Sequence, residues 1–315
     1  MSKIAFIYPG QGAQKAGMGA DFYENSEIVR YIFDQAGEEL DLDMKELCFE
    51  ENDRLDLTEY TQAAMVTTCL AMTRVAESKG LKADITAGLS LGEYPAIAAA
   101  GGMNDMDAIR LVRKRGILMQ NTVPAGEGAM CAVISMAAEE IEKVIEPIAD
   151  VSVANYNCPG QIVITGKTDA VEEAAAKLKE AGARRTIMLN VSGPFHSQML
   201  VPAGEKLAEE LEHTRFHELR IPYVTNVTAE KVTDIRETPG LLTTQISSPV
   251  RWMQSMERMI ADGVDTFVEI GPGKTLEGFL RKIDRSVKVF HISQWEDVDK
   301  VCTELADSGK MMEEA

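Results

Sequence analysis

One serine in this chain stands where a hydroxyl can become a nucleophile. Gly88-Leu89-Ser90-Leu91-Gly92 fits G-x-S-x-G and lies between a short apolar run, Ile85–Gly88, and small apolar residues over Glu93–Ala100. The spacing predicts a strand, a sharp turn and a helix, with Ser90 strained and exposed at the turn. Glycines two positions either side let neighbouring backbone come close, and the helix that follows points its positive end at the site. Pro95 suits a first helical turn, where a missing N–H costs little. The plain alternative is a glycine-rich turn with an incidental serine; the strand before and the helix after favour the nucleophile.

A serine hydroxyl needs a base to take its proton, and the chain offers 4 histidines. His213 and His217 share an i, i+4 spacing, but HTRFH is not H-E-x-x-H and reads as a solvated helix end. His291 ends an apolar run and reads as packing. His196, in VSGPFHS, sits in a Gly-Pro-punctuated loop suited to a cleft and is the candidate base. An oxyanion needs N–H donors. GQGAQ follows the first predicted strand, and its glycines at 10 and 12 free the amide of Gln11 to face the cleft; the amide of Leu91, next after the serine, is the second donor. That loop is no dinucleotide fingerprint, because Lys15 stands where a third glycine is required. GPGKT is no P-loop either, with Val268 where the pattern requires glycine, and a tight turn opening a helix explains it.

The run RLVRKRG reads first as a solvated basic stretch. Helical spacing does put Arg110, Arg113 and Lys114 on a polar face, yet it aligns Arg115 with Ala108, Leu111, Val112 and Met119. A buried guanidinium calls for a carboxylate, supplied either by the protein as an internal salt bridge or by a ligand.

The elements that must position these residues alternate between strand and helix, which argues an α/β layered fold. Lys3–Tyr8 reads as a buried strand ended by Pro-Gly. Thr58–Lys79 reads as a long helix with Thr58 as N-cap and Gly80 as its stop, and Asn104–Gln120 as a helix capped by Asn104. Ala129–Met136, Ala138–Ala149, Val151–Asn155, Gln161–Thr165, Asp169–Ala181 and Arg184–Leu189 then read β-α-β-β-α-β, the ferredoxin-like split unit. VPAGEG before it and SGP after it mark an insert, which divides the chain into 1–124 with 197–315 as a catalytic unit and 125–196 as the inserted one. Helices near Ala203–Leu211 and Val250–Asp262 follow, with strands near Pro222–Asn226, Thr266–Ile270 and Val287–Ile292; residues 310–315 read as a loose tail.

Composition narrows the function. With 315 residues, 45% of them hydrophobic, the chain can bury a core without staples. Its 32 basic against 50 acidic residues leave a net charge of −18, the wrong sign for a nucleic-acid partner or a basic membrane-surface protein. Cysteines at 48, 69, 131, 158 and 302 are odd in number and lack metal spacing, so they read as reduced thiols of a cytoplasmic protein without a disulfide framework or metal site. No stretch reads as a secretory leader or reaches membrane-spanning length.

GQGAQ, GLSLGEY, the KRG helix, NYNCPGQIVITG, GPFHS, TTQISSPVRW and EIGPGKTL occur in this order. Together they resemble the malonyl-CoA:acyl carrier protein transacylase family, from Lys3 to about Ile292. The resemblance implies an α/β-hydrolase-like large subdomain with an inserted ferredoxin-like small one, and no cofactor. It implies transfer of malonyl from malonyl-CoA to the phosphopantetheine thiol of acyl carrier protein through malonyl-Ser90, in fatty-acid biosynthesis. By the same resemblance His196 is the base, Gln11 and Leu91 supply oxyanion amides, and Arg115 grips the free malonyl carboxylate. Gln245 orients His196 through its backbone carbonyl. Asn157, in the NYNCPGQ turn, lines the cleft, Phe195 matches the malonyl-preferring form of its loop, and Met119 joins them in binding substrate. The family usually carries histidine where this chain has Leu89. Acyl carrier proteins are acidic, so a basic docking patch is expected at Arg110, Arg113, Lys114, Arg184, Arg185, Arg281 and Lys282. A serine esterase or thioesterase, a polyketide-pathway acyltransferase and a non-catalytic acyl-binding protein remain as alternatives.

Overall fold

The computed structural model describes residues 2–307, so the tail expected at 310–315 lies outside the described residues. The chain opens with β1 (Lys3–Tyr8), α1 (Ala20–Asn25), α2 (Glu27–Leu40), α3 (Met44–Phe49), α4 (Thr58–Ser78), β2 (Ile85–Gly88), α5 (Glu93–Ala99) and α6 (Asp105–Asn121). A second set follows: β3 (Gly128–Ile134), α7 (Ala138–Ile145), β4 (Val151–Cys158), β5 (Gln161–Lys167), α8 (Thr168–Glu180) and β6 (Arg185–Met188). The chain then returns through α9 (Val201–Glu212), β7 (Tyr223–Val224), β8 (Lys231–Val232), α10 (Thr238–Gln245), α11 (Trp252–Ala261), β9 (Val264–Ile270), α12 (Thr275–Ile283), β10 (Lys288–Ile292) and α13 (Trp295–Asp307).

These elements form an α/β fold with two sheets. The larger runs β10-β9-β1-β2-β7-β8, parallel except for the β7–β8 pair. β1 is apolar from Ile4 to Tyr8 because both of its faces are covered there. Ile4, Phe6 and Tyr8 join one core with α4, while Ala5 and Ile7 join another with Trp252, Leu276 and Leu280. From β1 the chain crosses to β2 on one side and later returns to β9 on the other. Crevices in such sheets open at the carboxyl ends, where the strand order reverses. Register brings Tyr8 opposite Gly88, so the loop after β1 and the turn after β2 leave the sheet side by side.

The smaller sheet runs β4-β5-β3-β6 and is antiparallel, the order of a ferredoxin-like β-α-β-β-α-β unit. Cys131 and Val133 face α7 and α8, whereas Met130 and Ala132 face the large unit. Val250 ties the two units, its N–H donating to Ala154 O and its carbonyl accepting from Tyr156 N.

α4 is buried on every side from Thr61 to Thr73, as a helix inside a large core must be. It begins at Thr58, but the cap is Leu57. The Thr58 hydroxyl instead accepts from Gln11 Nε2 at 3.0 Å and meets Ser192 Oγ at 2.6 Å, tying two loops of the crevice together. Gly116 lets α6 lie against the start of α4, since a Cβ there would sit 2.8 Å from Thr58 O. That close approach brings the next residue back, Arg115, beside Gln62. α13 lay beyond the last expected strand; its Trp295 packs edge-on against Phe22 at 5.5 Å.

Candidate active site

The turn after β2 has the geometry its glycines predict. Ser90 has φ 53°, in the left-handed region, and begins a single 3₁₀ turn that runs into α5. A Cβ on Gly88 would sit 1.8 Å from Gly92 O, and one on Gly92 would sit 2.3 Å from Tyr8 O. Only hydrogen side chains fit, so the strand and helix close tightly and Ser90 is pushed out at their junction. Asn226, just past β7, clamps the turn: its Oδ1 accepts from Ser90 N and its Nδ2 donates to Gly88 O, both at 2.7 Å.

His196 meets this serine from the loop after β6. Its Nε2 lies 2.8 Å from Ser90 Oγ, and its Nδ1 lies 2.9 Å from the backbone carbonyl of Gln245. A carbonyl only accepts, so Nδ1 carries the hydrogen and Nε2 is left to take the serine proton. Burial, reinforced by the Arg115 charge, pushes the imidazole down to about 4, against the pull of the Gln245 carbonyl. The ring is therefore neutral, and competent as a base, at pH 7.

Arg115 faces inward from α6 and is 0% exposed. Nη1 donates to Gln62 Oε1 at 2.8 Å; Nη2 donates to Gln245 Oε1 at 3.0 Å and to Ser90 Oγ at 3.1 Å. The Tyr94 ring lies beneath it, 5.5 Å from the guanidinium carbon. Among the described residues no carboxylate pairs with Arg115 directly, so the internal salt bridge is absent. Neutral amides hold the guanidinium in place, and the buried Glu93 carboxyl acts on its charge only across Gln245.

Ser90, His196 and Arg115 share a cavity of about 480 Å³ with Gln11, Leu91, Met119, Asn157 and Phe195. Gln245 lies behind His196 and Arg115, touching both. Asn157 lies on β4 and not in the turn, because β4 continues to Cys158; a bulge at Ala154 resets the strand so that Asn155 and Asn157 both line the cavity. Met119 Sδ accepts from Gln62 Nε2 at 3.4 Å, which turns the Gln62 oxygen toward Arg115. Leu89 puts an apolar side chain on the cavity wall against Gly10.

Three polar residues in this network escaped sequence reasoning. Glu93 had a usable signal as the one charged residue of a small apolar helix, and Gln62 had a weaker one as the amide that opens the apolar run 63–66. Asn226 had none. The expected basic patch is mostly spent on internal ion pairs. Arg110 pairs with Asp107 and Glu39, Arg113 with Glu59, Lys114 with Glu210, and Arg281 with Glu277. Arg184 and Arg185 have no ion pair among the described residues, and Lys282 only approaches Gln161 at 3.5 Å.

The model of the acyl transferase domain matches residues 5–298. The chain is 44% identical over 304 residues to the malonyl CoA-acyl carrier protein transacylase of Bacillus subtilis (strain 168), covering 95% of this chain and 96% of that one. The crystal structure of malonyl CoA-acyl carrier protein transacylase from Clostridium perfringens ATCC 13124 is similar at a TM-score of 0.94, with 42% identity and 98% of each chain covered. A malonyl-transacylase solved in complex with its type II PKS acyl-carrier protein is similar at a TM-score of 0.93, with 36% identity, covering 96% of this chain and 100% of that one. The strained serine and the histidine held by a carbonyl thus occur in a chain that, across nearly its whole length, belongs to the acyl transferase domain family, among its malonyl CoA-acyl carrier protein transacylases.

Proposed function

We propose that this protein moves a malonyl group from malonyl-CoA to the phosphopantetheine thiol of an acyl carrier protein through a malonyl-Ser90 ester. The observation that carries the reading is the position of Ser90 Oγ, 2.8 Å from His196 Nε2 and 3.1 Å from Arg115 Nη2 in one cavity. His196 Nε2 takes the Ser90 proton as Oγ attacks the thioester carbonyl. The oxyanion forms against the N–H groups of Gln11 and Leu91, each worth ~10²-fold or more in rate. As the tetrahedral intermediate collapses, the C–S bond breaks and His196 returns the proton to sulfur, releasing coenzyme A as the thiol. The carrier thiol then gives its proton to His196 and attacks the ester. Collapse returns that proton to Ser90 Oγ.

Arg115 selects the acyl group. Its planar fork suits a carboxylate, and the two amides that hold it provide no negative charge. Acetyl-CoA would leave that charge unanswered, and pockets built around a polar partner reject analogues that lack it. Asn157, Phe195 and Met119 shape the wall around the acyl group. The catalytic unit is 1–124 with 197–315, and 125–196 is the inserted unit that roofs the cavity. No helix among the described residues is long and apolar enough to cross a membrane, which fits work in the cytoplasm, in fatty-acid biosynthesis.

The test separates transfer from hydrolysis. Malonylated protein, freed of malonyl-CoA, is held in buffer and then given holo acyl carrier protein. Transfer predicts an adduct stable in buffer that moves to the carrier within seconds; rapid loss in buffer alone makes the protein a thioesterase.

A further inference from the structure

Gln245 holds three parts of the site at once. Its carbonyl accepts from His196, its Oε1 accepts from Arg115, and its Nε2 donates to Ser90 O at 3.0 Å and to Glu93 Oε2 at 2.7 Å. A side-chain amide can turn over, exchanging oxygen for nitrogen, and the turned amide would aim N–H at the Arg115 guanidinium. Glu93 forbids this, because a carboxylate only accepts. The same Oε2 accepts from Asn226 N at 3.0 Å, and Asn226 clamps both Ser90 and Gly88. Glu93 is 0% exposed at the start of α5, where the helix end favours negative charge. The cation it faces is Arg115, across Gln245.

We propose that Glu93 is a positioning residue for acyl transfer, its carboxylate fixing the Gln245 amide and thereby aiming Arg115 and His196 at the acyl group. This rests on the reading in which Ser90 carries malonyl. Burial pushes the Glu93 carboxyl up to about 7, against the hydrogen bonds from Gln245 and Asn226 and the Arg115 charge. The groups facing it are Arg115 from α6, Tyr94 on α5, Tyr223 on β7 and, through Gln245, His196. Burial raises both tyrosines beyond neutral pH, Arg115 stays charged, and His196 titrates near 4. Glu93 is therefore the one member that changes charge around pH 7.

The test follows the rate of Ser90 acylation by malonyl-CoA and by acetyl-CoA against pH, read by intact mass, in the full chain and in Glu93→Gln and Glu93→Asp. The unmodified protein is expected to gain about tenfold in malonyl rate as pH rises through 7, the scale of one charge-assisted hydrogen bond made or weakened. Glu93→Gln loses that inflection, is about tenfold slower at pH 8, and favours malonyl over acetyl less. Glu93→Asp keeps the inflection and recovers part of the rate. A role confined to folding would lower the melting temperature, scale both substrates alike and leave the pH profile unchanged, which overturns the proposal. So does a Glu93→Gln profile matching the unmodified one. Should Glu93→Gln fail to fold, the inflection in the unmodified protein and in Glu93→Asp decides. A malonyl adduct with unchanged variants sinks the proposal alone; no adduct on the unmodified protein sinks the reading of Ser90 as well.

Discussion

Replacing Arg115 separates selection from chemistry. Of its five N–H donors, three go to Gln62, Gln245 and Ser90, and Nε has no hydrogen-bond partner among the described residues. A malonyl carboxylate in the cavity would take two parallel donors from one edge of the fork, replacing at least one of the acceptors that Nη2 now holds. Hydrogen bonds to charged groups contribute about 1.5–3 kcal/mol each, so losing both costs about 3–6 kcal/mol, or ~10²–10⁴ in kcat/KM. Arg115→Ala should lose that factor on malonyl-CoA. Arg115→Lys keeps the charge but not the fork and should lose ~10–10²-fold. Both variants also strip hydrogen bonds from Gln62, Gln245 and Ser90, a cost that falls on every substrate equally. The ratio of malonyl to acetyl loading cancels it. Single-turnover loading with malonyl-CoA, acetyl-CoA and methylmalonyl-CoA, read as adduct mass, gives that ratio directly. The reasoning fails if Arg115→Ala slows malonyl-CoA and acetyl-CoA by the same factor.

Two further outcomes follow from the geometry. Gly92→Ala forces a Cβ to within 2.3 Å of Tyr8 O, so the elbow must shift; an ångström of misplacement costs on the order of 10²-fold in loading, with stability lowered by about 1–3 kcal/mol. A variant that loads and melts as the parent does would contradict this close fit. His196, held near 4 by burial against an unfolded value near 6.5, favours the fold fully above pH 6.5 and loses that contribution as pH falls toward 4. Over that window denaturant titrations should show the unmodified protein losing about 3 kcal/mol relative to His196→Gln, while loading by the unmodified protein should fall steeply through pH 4.

Local pattern carried some of this and not the rest. Strand, glycine turn and helix around Ser90 are written in adjacent residues, so the elbow was legible. The inward face of Arg115 followed from helical spacing, because its neighbours three, four and seven positions away are apolar. Its partners did not follow: charge rules point to a carboxylate, whereas the fold supplies two glutamine amides from α4 and α10. Gln245 came only through family resemblance, since TPGLLTTQ carries no amphipathic period to mark it as a helix. Thr58 looked like a cap by type, yet tertiary contacts took its hydroxyl for Gln11 and Ser192. Asn157 was assigned to a turn because the strand before it runs through polar residues, which face the cavity and not solvent. Spacing along a helix does not reveal acidic neighbours from other elements, so the pairing of Arg110, Arg113 and Lys114 with Glu39, Glu59 and Glu210 was not legible.

The central claim is that Ser90 becomes covalently acylated with His196 as its base. Intact-mass analysis after brief mixing with malonyl-CoA, followed by peptide mapping, tests it most directly. A single malonyl adduct on the peptide containing Ser90, absent in Ser90→Ala and slowed by orders of magnitude in His196→Ala, is the predicted result. An adduct that persists in Ser90→Ala, or forms at the parent rate in His196→Ala, contradicts the account.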